Sequence, residues 1–133
     1  MPPTHTIQAA LSEGGLIDIT TTGRRSGLPR RIEIVFHAID GRVYISGMPG
    51  PRRAWIANLE ADPRMVFHLK QGITADLPAR GRVVTDPGER QHVLRHVTRA
   101  WGRTGQLEAF VEAAPLIEVS LDGPAARADE AAA

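Results

Sequence analysis

Period-two alternation of apolar residues, interrupted by short turn signals, constrains the fold of this chain more than any other feature of its sequence. Met65, Phe67 and Leu69 occupy one face of an alternating run, which is typical of a half-buried β-strand. The pair Asp40-Gly41 stands between two further apolar runs and predicts a tight hairpin turn. Strands are predicted over residues 16–21, 31–38, 42–47, 64–70, 73–84 and 116–121.

Helix signals are fewer and stand apart from the strands. Asp86-Pro-Gly-Glu89 has the pattern of a helix N-terminus, with the aspartate as N-cap, and an apolar stripe follows it. Shorter helices are predicted over 5–14 and 52–60. Because strands and helices do not alternate, we expect an α+β fold with about six mostly antiparallel strands and two or three helices, enough strands to roll into a barrel.

Length and composition bound the remaining possibilities. A chain of 133 residues predicts a single domain over 1–123, and the small, acidic segment 124–133 predicts a disordered tail. The chain contains no cysteine, which excludes disulfides and thiolate chemistry. It has neither an apolar window of membrane-spanning length nor a signal-peptide pattern, so we expect a cytoplasmic protein.

Arginines concentrate in the segment Thr20–Arg31, which holds four arginines, two glycines and four hydroxyl side chains. A turn of this composition suits phosphate or carboxylate, because guanidinium groups and backbone N–H groups both bind anions. The net charge of +1 is low for a nucleic-acid-binding protein. A solvated hairpin tip is the alternative interpretation. The candidate anion-binding residues here are Arg24, Arg25, Ser26, Arg30 and Arg31, with a second arginine pair at Arg52 and Arg53.

Several other polar residues favour a structural interpretation. His92 and His96 have metal-ligand spacing but lack the rest of a zinc-protease motif, so they are interpreted as a surface pair, and no hydroxyl–histidine–aspartate triad is predicted. Asn58 is expected to support the turn before Pro63. Pro78 demands an edge position or a bulge. Core anchors are expected at Trp55, Ile56 and Leu59.

The chain contains the segments Thr21-Thr-Gly-Arg-Arg-Ser-Gly-Leu-Pro-Arg30, Asp40-Gly-Arg-Val-Tyr-Ile-Ser46 and Arg53-Ala-Trp-Ile-Ala-Asn-Leu-Glu-Ala-Asp-Pro63. In this order they resemble the deazaflavin-dependent nitroreductase family of the flavin/deazaflavin oxidoreductase superfamily. The resemblance spans roughly residues 14 to 121 and implies a split β-barrel of the FMN-binding, PNP-oxidase-like type. It also implies a homodimer, since such barrels usually pair.

The resemblance further implies coenzyme F-420, a deazaflavin with a phosphate and an oligoglutamate tail. Arg24, Arg25, Ser26 and Arg30 or Arg31 would hold the phosphate and the tail carboxylates. The backbone of the loop Ser46, Gly47 and Met48 would approach the deazaflavin ring, with charge added by Arg52 and Arg53. The reduced coenzyme would pass a hydride to a quinone, an enone or a nitro compound, so no catalytic side chain or metal is expected.

The residues leave two alternative functions open. The first is an FMN-dependent reductase with the same fold, although one phosphate needs fewer arginines. The second alternative is a non-catalytic carrier of the coenzyme or of another anionic ligand. The acceptor is not assigned, because Tyr44 is the only tyrosine. The residues available to shape an acceptor pocket near the C-terminal helix are Trp101, Thr104 and Phe110.

Overall fold

Six antiparallel strands close into a barrel with the strand order β1-β2-β3-β6-β5-β4. The computed structural model describes residues 6–122. The strands are β1 Gly15–Thr22, β2 Pro29–Ile39, β3 Arg42–Ser46, β4 Arg64–Leu69, β5 Ala75–Val83 and β6 Leu116–Leu121. The helices are α1 Ile7–Glu13, α2 Ala54–Ala61, α3 Pro87–Ala100 and α4 Leu107–Ala113, the last preceded by a short 3-10 helix, Thr104–Gln106.

The predicted fold class is confirmed, and the helix count needs correction. The described residues contain four α-helices where two or three were predicted. The helix that the prediction left out is α4, which has only seven residues and follows two glycines, Gly102 and Gly105. The predicted tail, 124–133, lies outside the described residues. Among residues 6–122, no helix has the length and apolar character needed to cross a membrane.

The barrel interior is the main hydrophobic core. Inward-facing side chains such as Ile17, Ile45 and Phe67 are fully buried, which follows from the period-two alternation of their strands. Helix α2 packs on this core through Leu59. The close approach requires Gly81 on β5, because a Cβ atom there would lie 3.1 Å from Leu59 Cδ1.

A second core lies between the outer face of the barrel and the hairpin of α3 and α4. Tyr44 on β3 packs there with the buried face of α3, whose predicted N-cap is confirmed because the Asp86 carboxylate accepts from the N–H of Glu89 at 2.9 Å. The Arg90 guanidinium donates to carbonyls at the C-terminal end of α4, including Ala114 O at 2.6 Å. Burial lowers the pKa of Arg90.

Pro78 occupies an edge-like position within a closed barrel. Pairing between β4 and β5 is continuous from Arg64 opposite Arg80 to Leu69 opposite Ala75, so the predicted bulge is wrong. Pairing with β6 begins only at Ala79, and the Pro78 carbonyl accepts from the N–H of residue 122 at 2.9 Å. The missing N–H of proline therefore points to the side where β6 has ended.

Candidate functional site

The turn between β1 and β2 is closed by its own backbone. Gly23 N–H donates to Leu28 O at 2.8 Å, and Gly27 N–H donates to Gly23 O at 2.8 Å. Ser26 Oγ accepts from the N–H of Leu28 at 3.1 Å. Gly27 has φ 70°, a left-handed conformation that favours glycine. The turn is thus ordered by backbone contacts, and its arginine side chains face outward from it.

Asn58 joins this turn to α2. Its Oδ1 accepts from the backbone N–H of Arg24 at 3.0 Å, and its Nδ2 donates to Thr21 Oγ1 at 3.1 Å. The expectation that Asn58 supports the turn before Pro63 holds only for its backbone carbonyl, which accepts from Asp62 N–H at 2.8 Å. The side chain, 5% exposed, instead fixes the arginine turn to the helix.

A cavity of about 530 Å³ lies between this turn and α2, and we call it the arginine groove. It brings together every residue that the sequence singled out between 24 and 31. Trp55, expected as a core anchor alone, is buried and also lines the groove. The lining residues that carry the argument are Arg24, Arg25, Ser26, Arg30, Arg31, Trp55 and Asn58.

The arginines of the groove differ in their partners. Within residues 6–122, the side chains of Arg24, Arg25 and Arg30 form no ion pair. Arg31 lies opposite Thr20 on the outer face of the barrel, and its Nε donates to Asp18 Oδ2 at 2.9 Å. Hydrogen bonds from Lys70 and then Arg31 hold the pKa of Asp18 below its usual range. Three guanidinium groups are therefore available to an anion.

The N-terminus of α2 adds to the positive character of the groove. The N-cap residue, Arg53, makes no side-chain capping bond. Ala54 and Trp55, the first helical residues, line the arginine groove. The first N–H groups of a helix lack intrahelical partners and carry the positive end of the helix dipole. Backbone and side-chain donors thus converge on one cavity, an arrangement that suits phosphate.

Two further cavities continue the arginine groove around α2. One of about 620 Å³ is lined by Arg24, Arg52 and Arg53, and another of about 460 Å³ shares the last two of these. Arg52 pairs with Glu60. Arg53 donates to Met48 O at 2.6 Å and to Pro51 O at 3.1 Å. The second arginine pair therefore lines cavities that adjoin the arginine groove, but its guanidinium groups already have partners.

The loop Ser46, Gly47 and Met48 lies apart from the three cavities around α2. Ser46 is buried, and its Oγ donates to Pro115 O at 2.7 Å. A Cβ atom on Gly47 would lie 3.1 Å from Pro115 Cγ, so the loop packs closely against the segment before β6. Met48 is 41% exposed. Among the described residues, Arg53 is the arginine that hydrogen-bonds to this loop.

A separate cavity of about 390 Å³ lies at the other end of β2, lined by His37 and Trp101 among others. Their rings are 5.3 Å apart. Within residues 6–122, His37 Nε2 is buried without a hydrogen-bond partner, and burial lowers the pKa of His37. Phe110 is fully buried and Thr104 is exposed, so Trp101 is the member of the predicted trio that lines this cavity.

The structure also forms a hydroxyl–imidazole–carboxylate array that the sequence was expected to lack. His68 Nε2 lies 2.7 Å from Thr20 Oγ1, and His68 Nδ1 lies 2.7 Å from Asp76 Oδ1. The array crosses β1, β4 and β5 on the outside of the barrel, and His68 is 7% exposed. It lines none of the four cavities above. Strand register alone creates it, since Asp76 pairs directly with His68.

Solved structures similar to this chain identify its fold. A conserved hypothetical protein of Mycobacterium tuberculosis is 17% identical, with a TM-score of 0.70 over 92% of this chain and 82% of that one. An F420-H2 dependent reductase, FDR-A, is 19% identical, with a TM-score of 0.57 over 79% and 93%. A FAD-binding protein of Mesorhizobium loti is 17% identical, with a TM-score of 0.56 over 86% of each chain. These likenesses show a split barrel.

The family follows from the sequence as a whole. No curated protein matches this chain significantly. The family model described as F420H(2)-dependent quinone reductase matches residues 5–120, which include the arginine turn, α2 and all of the barrel strands except the last residue of β6. The chain belongs to the F420H(2)-dependent quinone reductase family and is an oxidoreductase that uses coenzyme F-420.

Proposed function

We propose that the arginine groove holds the phosphate and the tail carboxylates of coenzyme F-420. The observation that carries this assignment is the set of three guanidinium groups, Arg24, Arg25 and Arg30, that line one cavity without an ion pair within residues 6–122. Guanidinium groups bind phosphate and carboxylate through paired, charge-assisted hydrogen bonds. A ligand with one phosphate and several carboxylates needs several such donors, so the donor set fits the coenzyme.

Contacts within the protein hold the backbone of the groove. Asn58 and the backbone bonds of the turn hold Arg24 at the N-terminus of α2. Neighbouring cations without counter-charges repel one another, and an anion relieves that repulsion. Since the backbone is already ordered, binding loses little further conformational entropy beyond that of the arginine side chains. Ser26 supports the turn through its hydroxyl.

The ring of the coenzyme belongs, in this proposal, beside the loop Ser46, Gly47 and Met48. Arg53 links the Met48 carbonyl to the N-terminus of α2 and so fixes the loop relative to the arginine groove. Arg52 adds charge along the same path. The 460 Å³ cavity begins at Gly50 and Pro51, just after this loop in the sequence. It has the lowest net charge of the three cavities around α2, and Ile56 and Leu116 lie in its wall. We assign the electron acceptor to it.

Reduced coenzyme F-420, when bound, supplies a hydride to an electron-poor acceptor. We propose a quinone, an enone or a nitro compound as the acceptor, and the description of the family supports the quinone. The chain contributes by binding the anionic end of the coenzyme, by orienting it along α2 and by shielding one side of the acceptor cavity. No protein side chain is assigned a covalent role.

A fluorescence titration with F-420 and with FMN, each at low and high salt, tests this proposal. We expect saturable binding of F-420 in preference to FMN, weakened by salt because the contacts are ionic. Multiple-turnover reduction of menadione by the reduced coenzyme is the companion assay. Preference for FMN would overturn the cofactor assignment, and tight F-420 binding without turnover of any acceptor would indicate a carrier.

Homodimer formation is a separate proposal. An open barrel would expose strand edges that a partner could cover, but this barrel is closed, so edge protection no longer supports pairing. A solved structure described as a domain-swapped dimer is 20% identical to this chain, with a TM-score of 0.60. Light scattering during size-exclusion chromatography measures the oligomeric state, and a monomer mass at assay concentration would exclude the dimer.

A further inference from the structure

Three potential metal ligands that the proposed function does not use converge at the surface of α3. His92 and His96 lie one helical turn apart on α3, and Asp40 comes from the hairpin between β2 and β3. One donor atom of each residue lies within 4.8 Å of the other two, and all three residues are exposed. His92 Nε2 is 2.6 Å from Asp40 Oδ2. The sequence showed only a histidine pair, and the fold adds a carboxylate.

Packed elements hold these ligands in place. Asp40 has φ 54° and Gly41 has φ 73°, so both central residues of the hairpin turn are left-handed. Ile39, just before the turn, is buried in the same core as Val93 and Val97 of α3. The hairpin and the helix are thus joined by side-chain packing directly beneath the three ligands, and sites on such elements keep their geometry.

The donor atoms are not committed to other strong partners. Within residues 6–122, the Asp40 carboxylate has His92 as its only hydrogen-bond partner, and His96 has none. Arg42, the cation that follows the turn, donates to Glu118 Oε2 at 3.2 Å. A hydrogen bond joins His92 Nε2 to the Asp40 carboxylate, and a metal ion bound to both atoms would replace it.

We propose that Asp40, His92 and His96 bind a divalent first-row transition metal ion of the Zn²⁺ type. Two imidazole nitrogens and one carboxylate oxygen suit zinc, nickel, cobalt or copper, whereas calcium and magnesium prefer all-oxygen sites. Tetrahedral donors on Zn²⁺ lie about 3.4 Å apart. His92 Nε2 and Asp40 Oδ2, 2.6 Å apart, must therefore separate slightly, and His96 must approach them by at most about 1.4 Å, since all donors lie within 4.8 Å. Rotation of exposed side chains provides that movement. Three protein ligands leave a position for water or an exogenous ligand.

Metal binding at this place clamps the hairpin to α3. A ligand that binds only the folded state raises its stability as the ligand concentration exceeds the dissociation constant. The melting temperature of the protein therefore rises with added Zn²⁺. The site lies at the opposite end of β2 from the arginine groove, so its occupancy is independent of the F-420 assignment.

Calorimetric titration of the full chain with ZnCl₂ tests the proposal, using protein without a polyhistidine tag and freed of metal by a chelator. The variants are His92→Ala, His96→Ala and Asp40→Asn; asparagine tolerates the left-handed turn position, so only the charge is lost. Gln91→Ala on the same helix and Glu108→Gln on α4 are matched controls. Thermal melting with and without Zn²⁺ is the second measurement.

We expect one Zn²⁺ per chain, with affinity at least about ten-fold lower in each ligand variant and unchanged in the controls. The Zn²⁺-induced rise in melting temperature should disappear in the same variants. No saturable binding by the wild type, or wild-type affinity in all three ligand variants, would overturn the site. Neither result would alter the outcome of the F-420 titration.

Discussion

The side chain of Asn58 forms a bridge to Thr21, with Nδ2 donating to Oγ1 at 3.1 Å. A buried amide on α2 is thereby bonded to an inward-facing hydroxyl on β1, one strand residue away from the arginine turn. The same amide accepts from the N–H of Arg24. The Asn58 side chain thus links the arginine turn to α2.

Replacing Asn58 with alanine should reduce both stability and coenzyme affinity. The change removes two hydrogen bonds and leaves the Thr21 hydroxyl without its Asn58 partner, which costs about 1–3 kcal/mol. Urea unfolding measures the loss of stability, and the F-420 titration measures the loss of affinity. Thr22→Ala, a nearby change on the same strand, is the control. A destabilised Asn58→Ala protein with wild-type F-420 affinity would show that the bridge does not position the groove.

Gly27→Ala should destabilise the turn between β1 and β2. Gly27 has φ 70°, and a left-handed conformation costs a residue with a Cβ atom about 1–2 kcal/mol. Gly105→Ala is the matched control, because no atom would contact the new Cβ there and the backbone is not left-handed. Equal unfolding free energies for the two variants would contradict the turn geometry.

His37 should make stability depend on pH in mildly acidic solution. Burial lowers the pKa of folded His37 below the ordinary value of about 6.5, so the unfolded chain binds more protons in this range. The contribution of His37 to the free energy of unfolding is therefore fully present at higher pH, and it is lost as the pH falls below about 6.5. Glu13 and His96 are titratable groups that line the same cavity, and Tyr44 lies opposite His37 in the register of β2 and β3.

The measurement is urea unfolding of the wild type and of His37→Gln at about pH 7.5 and about pH 5.5. Other titrating groups contribute equally to both proteins. The difference between the two proteins in their loss of unfolding free energy from the higher to the lower pH therefore isolates His37. The wild type should lose more stability on acidification than the variant. Identical pH dependence in both proteins would mean that folded His37 titrates normally.

The sequence predicted local structure well where the signal was itself local. The alternation pattern predicted a strand over 64–70, and β4 ends one residue earlier. Asp40-Gly41 forms the expected hairpin turn, and Asp86 caps α3 as predicted. These features depend on period, turn chemistry and capping, which neighbouring residues determine. Helix α4 was missed because its seven residues offer too short an apolar pattern beside glycines.

The side-chain clusters could not be predicted in the same way. His68 meets Thr20 across 48 residues and His92 meets Asp40 across 52, and both contacts depend on strand register or helix packing. The composition showed that arginines cluster here, but it did not show which of them have ion-pair partners. Only register shows that Arg31 faces Asp18 outside the barrel while Arg30 pairs with inward-facing Thr21.

The most direct test of the account is the F-420 dissociation constant of the double variant Arg24→Ala/Arg30→Ala. The pair Arg95→Ala/Arg99→Ala on α3 is the control, because it removes the same charge outside the arginine groove. We expect affinity to fall at least about ten-fold in the first variant, with its melting temperature nearly unchanged and the control near wild type. Unchanged affinity, or an equal loss in the α3 control, would contradict binding of the coenzyme in the arginine groove.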